Sequence, residues 1–127
     1  MIEYKVKVDD NGTIFWFIND KLHREDGPAV EHADGSKSWY LSGECHREDG
    51  PAIERANGDK YWYLNGEYHR EDGPAVDHAD GTKHWYLNDV RYTEEEHYNK
   101  LNPKAKELTM EELAKELGYR VKIIKGE

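Results

Sequence analysis

The sequence predicts a mainly β fold: an antiparallel sheet built from tandem β-hairpins, closed by a small α-helical C-terminal cap and a final strand. Three observations carry that prediction. The stretch His-Arg-Glu-Asp-Gly-Pro-Ala at residues 23–29 returns unchanged at 46–52 and 69–75, a step of 23 residues. Trp16, Trp39, Trp62 and Trp85 keep that step, as do Gly12, Gly35, Gly58 and Gly81. Between these marks lie short runs of β-branched and aromatic residues, punctuated by Asp-Gly and Asn-Gly pairs that signal hairpin turns. A fixed period of this length marks a repeat architecture, in which each unit buries its apolar face against its neighbours.

The chain divides at residue 92 into a four-unit array (1–92) and an α+β cap (93–127). At the start Ile2, Tyr4, Val6 and Val8 alternate with Glu3, Lys5 and Lys7, the period of a half-buried strand. Asp10-Asn11-Gly12 turns it, and residues 13–18 return as a second strand. This first unit diverges, with Lys5-Val6-Lys7 where later units carry Gly-Pro-Ala. Residues 29–33, 52–56 and 75–79 read as the outgoing strands of the later units. Residues 37–41, 60–64 and 83–87 read as the returning ones. Second polar turns follow at Ser42-Gly43, Asn65-Gly66 and Asn88-Asp89.

Alternation sorts the returning strands into two faces. Trp16, Trp39, Trp62 and Trp85, with Ile18, Leu41, Leu64 and Leu87, form one ladder, read as the core because each indole buries a large area. Phe17, Tyr40, Tyr63 and Tyr86 form the other. Tyr40, Tyr63 and Tyr86 read either as cross-strand stacking with wet hydroxyls or as interface anchors.

The connection between hairpins has a structural role for nearly every residue. Pro cannot donate to a ladder and suits a strand start. The Gly before it supplies a conformation other residues resist. Asp closes an Asx-type turn, and Arg forks to a carboxylate of the next unit. His23, His46 and His69 are therefore read as structural. With Glu25, Asp26 and His32 they are also metal-ligand types. Identical repetition points to architecture instead, because one site needs one copy. No nucleophile–base pair stands out, so neither a cofactor nor a catalytic residue is expected.

The 23-residue unit resembles the MORN-type repeats, most closely the divergent MORN-2 kind found in bacterial and bacteriophage proteins. The match runs from about Gly12 to Tyr92 and rests on Asp/Asn-Gly, Trp-Tyr-Leu-Asn-Gly and His-Arg-Glu-Asp-Gly-Pro-Ala. The resemblance implies a β-hairpin array used as a binding or scaffolding surface and implies no chemistry.

After Arg91 and Tyr92 the repeat breaks. Thr93-Glu94-Glu95-Glu96 is a capping box opening a helix to about Leu101, stopped near Asn102-Pro103. Thr109-Met110-Glu111-Glu112 is a second box. Leu108, Leu113 and Leu117 form a helical face, and Gly118 ends it. Tyr119, Val121 and Ile123 alternate as a final strand.

The charge is −9, from 27 acidic and 18 basic residues, and mean hydropathy is −1.08. Residues 1–92 hold 19 of the acids and 11 of the bases, so the negative charge sits on the array. That sign disfavours nucleic acid and anionic membranes as direct partners. Cys45 is the single cysteine, read as a small, partly buried side chain, and excludes an intrachain disulfide. No signal peptide or membrane-length apolar run opens the chain, so a cytoplasmic protein is expected.

These features predict a non-enzymatic protein-binding module. Its most specific form is a phage-encoded inhibitor, of anti-CRISPR type for example, that occupies a basic, nucleic-acid-binding surface of a host defence enzyme. The expected contacts are the recurring acids Glu31, Glu54 and Asp77 and the Tyr40, Tyr63, Tyr86 ladder, with a homodimer also open. The alternatives are an antitoxin-like or structural scaffold and, third, a metal-dependent enzyme on the repeated His, Glu and Asp.

Overall fold

The structure, a computed structural model, describes residues 2–103 together with Thr109, Glu111, Glu112 and Lys115. The first unit contains β1 (Lys5–Val8), β2 (Ile14–Ile18) and β3 (Lys21–Leu22). The second contains β4 (Val30–Glu31), β5 (Lys37–Ser38), β6 (Tyr40–Leu41) and β7 (Glu44–Cys45), and the third β8 (Ile53–Glu54), β9 (Lys60–Tyr61), β10 (Tyr63–Leu64) and β11 (Glu67–Tyr68). The fourth contains β12 (Val76–Asp77), β13 (Lys83–Leu87) and β14 (Val90–Tyr92), followed by α1 (Glu94–Leu101). All pairings are antiparallel, and the main sheet runs β1-β2-β4-β5-β8-β9-β12-β13-β14.

Two features differ from the sequence reading. The outgoing strands are shorter than expected, and the returning strands 37–41 and 60–64 are interrupted at Trp39 and Trp62. At Trp39 the strand changes partners. Its N–H donates to the Ala52 carbonyl (2.7 Å), while its carbonyl accepts from the His46 N–H (3.0 Å). The first half of the strand thus belongs to the main sheet, and the second half pairs with a third strand that the sequence reading lacked. Those third strands, β3, β7, β11 and β14, follow turns with two successive positive φ angles, such as Ser42 (49°) and Gly43 (81°), or Asn65 (50°) and Gly66 (80°). This is the geometry of a two-residue hairpin whose twist matches its strands. Successive small hairpins are joined edge to edge, Gly43 N–H to the Leu22 carbonyl (2.8 Å) and Gly66 N–H to the Cys45 carbonyl (2.9 Å).

Register places Phe15, Val30, Ser38, Ile53, Tyr61, Val76 and His84 in one row across the main sheet. On the small hairpins Phe17 faces Leu22, Tyr40 faces Cys45 and Tyr63 faces Tyr68. Aromatic pairs join the two rows. Phe15 and Phe17 stack at 6.4 Å, Tyr61 lies 6.4 Å from Tyr68, Tyr63 stacks on Tyr68 at 4.4 Å, and Tyr86 meets it at 4.9 Å. The tyrosine side is therefore a row of mutually packed, half-buried rings.

The opposite side corrects the reading of the Trp ladder as core. Among the described residues the buried apolar ones are only Ala29, Val30, Ala52, Ala75 and Val76, and no large side chain is fully buried. The four Trp residues are half-buried. Trp16, Trp39 and Trp62 give their N–H to Ala29, Ala52 and Ala75, each 0% exposed, so the smallest side chain lies across from the largest. The roof over the first three indoles is an arginine rather than hydrocarbon.

The array ends in α1. Thr93 Oγ1 accepts from the Glu96 N–H and the Glu96 carboxylate accepts from the Thr93 N–H, the expected capping box, and Asn102 caps the C-terminus. His97 is 4% exposed, and its Nε2 donates to the Arg70 carbonyl (2.6 Å), which holds the helix on the array. At the second predicted box Glu112 N–H donates to Thr109 Oγ1 (3.1 Å). The expected face of Leu108, Leu113 and Leu117, the stop at Gly118 and the strand at Tyr119, Val121 and Ile123 lie outside the described residues.

Candidate protein-binding face

The side of the sheet that carries the Trp ladder is shaped by the three identical connectors. In each, the arginine guanidinium lies over the Trp of its own unit: Arg24 over Trp16 (3.9 Å), Arg47 over Trp39 (3.9 Å) and Arg70 over Trp62 (3.7 Å). The plane is then fixed at its edges. Arg47 Nε donates to Asp49 Oδ1 (3.0 Å), and Nη1 donates to the Pro51 carbonyl (3.1 Å) and to Glu54 Oε1 (3.1 Å). Arg24 repeats this with Asp26, Pro28 and Glu31. Arg70 repeats it with Asp72 and Pro74 but, among the described residues, makes no pair with Asp77, whose side chain is one methylene shorter.

The connector glycine has a different role from the one expected. Gly27, Gly50 and Gly73 do not adopt positive φ. A Cβ at these positions would stand 3.0, 3.0 and 2.7 Å from the arginine Cζ, so glycine leaves space for the guanidinium. The histidines are structural acceptors: Nδ1 of His23, His46 and His69 accepts the N–H of Ser42, Asn65 and Asn88, each 19 residues on (2.8, 2.9 and 3.1 Å). Each connector is thereby tied to the small hairpin of the next unit. The other face of the imidazole lies near an exposed acid, His46 Nε2 being 3.6 Å from Glu48. Among the described residues, no three or more His, Cys, Asp and Glu side chains gather in a way that could hold a metal ion.

Between successive connectors lie grooves. One, of about 700 Å³, has Trp39 and Leu41 as its floor, with residues 24–27 and 46–49 as its walls. The next, about 600 Å³, has Trp62 and Leu64 as floor between residues 47–50 and 69–72. The corresponding positions at both ends of the array are taken up by the chain itself. Tyr4 stands edge-on to Trp16 (5.2 Å, 84°), and its hydroxyl accepts the Glu25 N–H (3.1 Å). At the other end α1 lies against β13 and β14, with His97 on the Arg70 carbonyl.

The residues expected to bind a partner are placed otherwise. Glu31, Glu54 and Asp77 stand in one row with Lys37, Lys60 and Lys83, acid and base alternating strand by strand. Glu31 and Glu54 also hold Arg24 and Arg47. This is a neutralised ladder that fixes register, not a free acidic stripe. Tyr40, Tyr63 and Tyr86 lie half-buried in the aromatic row, where burial pushes the Tyr40 and Tyr63 hydroxyls above the usual phenol value. Tyr63 and Tyr86 both pack on Tyr68, as the cross-strand stacking reading expects. Cys45 packs beside them, and burial pushes its thiol up to about 12.

The acids that do face solvent are on the connectors. Glu25 and Glu48 side chains are 55% and 84% exposed, and Asp26, Asp49 and Asp72 between 76% and 87%. Their recurrence was visible in the sequence, but only the fold shows that they rim the grooves. No protein-family model matches the chain, and neither a curated protein nor a solved structure does.

Proposed function

We propose that this chain is a non-enzymatic protein-binding module whose binding face is the row of connectors and the grooves between them. The observation that carries the reading is the pair of open grooves, each with an aromatic floor and acidic rims, repeated at one-unit spacing. Half-buried tryptophan roofed by arginine offers the residue types that dominate interface energetics. The solvent-exposed rim carboxylates favour a basic partner and speed its encounter. A basic nucleic-acid-binding surface of a host enzyme fits that charge. Together with the resemblance to MORN-2-like repeats of bacteriophage proteins, this supports the narrower reading of an inhibitor of a host defence enzyme.

The test replaces Glu25, Glu48 and Glu71 with Lys together, at positions outside the Arg clamps, and checks the fold by circular dichroism. Wild-type protein should retain a defined basic partner from a host extract, identified by mass spectrometry. The triple variant should lose it, and salt should release it. Equal capture by both proteins, or capture indifferent to salt, would move the binding face elsewhere.

A further inference from the structure

The end of the array shows what the open grooves accept. Tyr4 meets Trp16 edge-on and takes the Glu25 N–H on its hydroxyl. Trp39 with Glu48, and Trp62 with Glu71, are the same pair one and two repeats further on. Among the described residues the Glu48 and Glu71 N–H groups make no hydrogen bond. On the opposite wall, the Arg24 and Arg47 carbonyls correspond to the Arg70 carbonyl that receives His97 Nε2–H, and they likewise accept nothing from the described residues. Each open groove therefore presents an aromatic floor, a backbone donor and a backbone acceptor, and the chain itself satisfies each of these at one end or the other.

Resting on the binding face proposed above, we infer that the grooves over Trp39 and Trp62 each take one tyrosine side chain of a single extended, basic peptide segment. Tyrosine matches because its ring fits against the indole edge and its hydroxyl accepts the free N–H, as Tyr4 does. The basic flanks follow from the exposed Glu25 and Glu48 on the groove walls. The spacing follows from the sheet. Two strands per unit advance about 9.6 Å, from a strand separation near 4.8 Å. One turn of a polyproline II segment, three residues at about 3.1 Å, covers about 9.3 Å and returns side chains to the same side. The tyrosines thus stand three residues apart.

The probe is a synthetic peptide, Lys-Pro-Tyr-Lys-Pro-Tyr-Lys-Pro, titrated into the intact protein and followed by calorimetry and tryptophan fluorescence. Its counterparts carry Phe for both Tyr, or the two Tyr side by side. The Tyr peptide should bind at least about tenfold more tightly than the Phe peptide, because the Phe peptide cannot make the two hydroxyl hydrogen bonds. The side-by-side peptide should also be weaker, since it cannot fill both grooves. Tyr4→Ala bares a third groove. A peptide with three such tyrosines should bind this variant more tightly than wild type, which a purely structural Tyr4 would not produce. Equal binding of Tyr and Phe peptides, no binding of either, or no gain with Tyr4→Ala would overturn the inference. If these fail while the connector charge reversals still release a captured partner, the face is right and the tyrosine assignment is wrong.

Discussion

Replacing Arg47 tests the clamp that organises each repeat. In Arg47→Ala the indole of Trp39 loses a guanidinium 3.9 Å above it, and the Pro51 carbonyl and Glu54 lose their donor. A partly desolvated stack of this kind contributes about 1 kcal/mol. The carbonyl bond from a charged donor adds about 1 kcal/mol or more. The pair with Glu54, whose side chain is 37% exposed, adds about 0.5 kcal/mol, and the pair with Asp49, 87% exposed, adds nothing measurable. Arg47→Ala should therefore cost about 2–3 kcal/mol. With a urea dependence of about 1–3 kcal/mol/M, the unfolding midpoint falls by about 0.7–3 M. Arg47→Lys should recover little, because an ammonium neither lies flat on the indole nor forks to two acceptors. Arg70→Ala should cost less than Arg47→Ala, as its link to position 77 is absent, and Asp77→Glu should raise stability only where Arg70 is present. Urea melts of wild type, the four single variants and the Arg70→Ala/Asp77→Glu double variant decide the matter. A neutral Arg47→Ala, or an Arg47→Lys as stable as wild type, would refute the account.

Two further outcomes follow from groups whose ionisation the fold alters. The carboxyl of Asp59 is held below its ordinary value, first by the Ala79 N–H (2.7 Å) and also by His78 (3.4 Å), so it contributes stability above the unfolded value near 4 and loses it as pH falls through the folded one. Acidifying from about pH 6 to about pH 2 should thus destabilise wild type more than Asp59→Ser, which restores the serine that Ser36 supplies one unit earlier. The Cys45 thiol, pushed up to about 12, should react with a disulfide reagent near pH 8 about two to three orders of magnitude more slowly in the folded protein than in urea; comparable rates would show that the thiol is not buried.

The period was legible because every unit repeats residues that have only one use. Gly35, Gly58 and Gly81 turn hairpins at φ of 93–99°, where other residues are strained, and the Pro that starts each outgoing strand lacks a donor. The third strand was illegible as a strand, since Glu44–Cys45 and Glu67–Tyr68 are too short to show alternation. Only the polar turns at Ser42-Gly43, Asn65-Gly66 and Asn88-Asp89 announced it. The Trp ladder misled because size was taken for depth. A large indole can be stabilised by an arginine plane as well as by hydrocarbon, and nothing in the sequence says that residue 47 folds back onto residue 39. The recurring acids misled for a related reason. Period alone cannot separate Glu54, whose cross-strand neighbours are Lys37 and Lys60, from Glu48, which faces water.

The connector that ties each unit to the next has a genetic consequence. Removing residues 24–46 would join His23 to Arg47 and rebuild the same His-Arg-Glu-Asp-Gly-Pro-Ala stretch at the junction. His23 would inherit the acceptor position of His46 toward Asn65, and Arg47 would lie over Trp16 of the intact first unit in place of Arg24. Tandem units that share such a stretch can be lost or gained whole, in frame and without a mismatched seam. Each such crossover changes the number of grooves between connectors by one. Against a partner with several matching segments, avidity would then change in discrete multiplicative steps, with no point mutation needed.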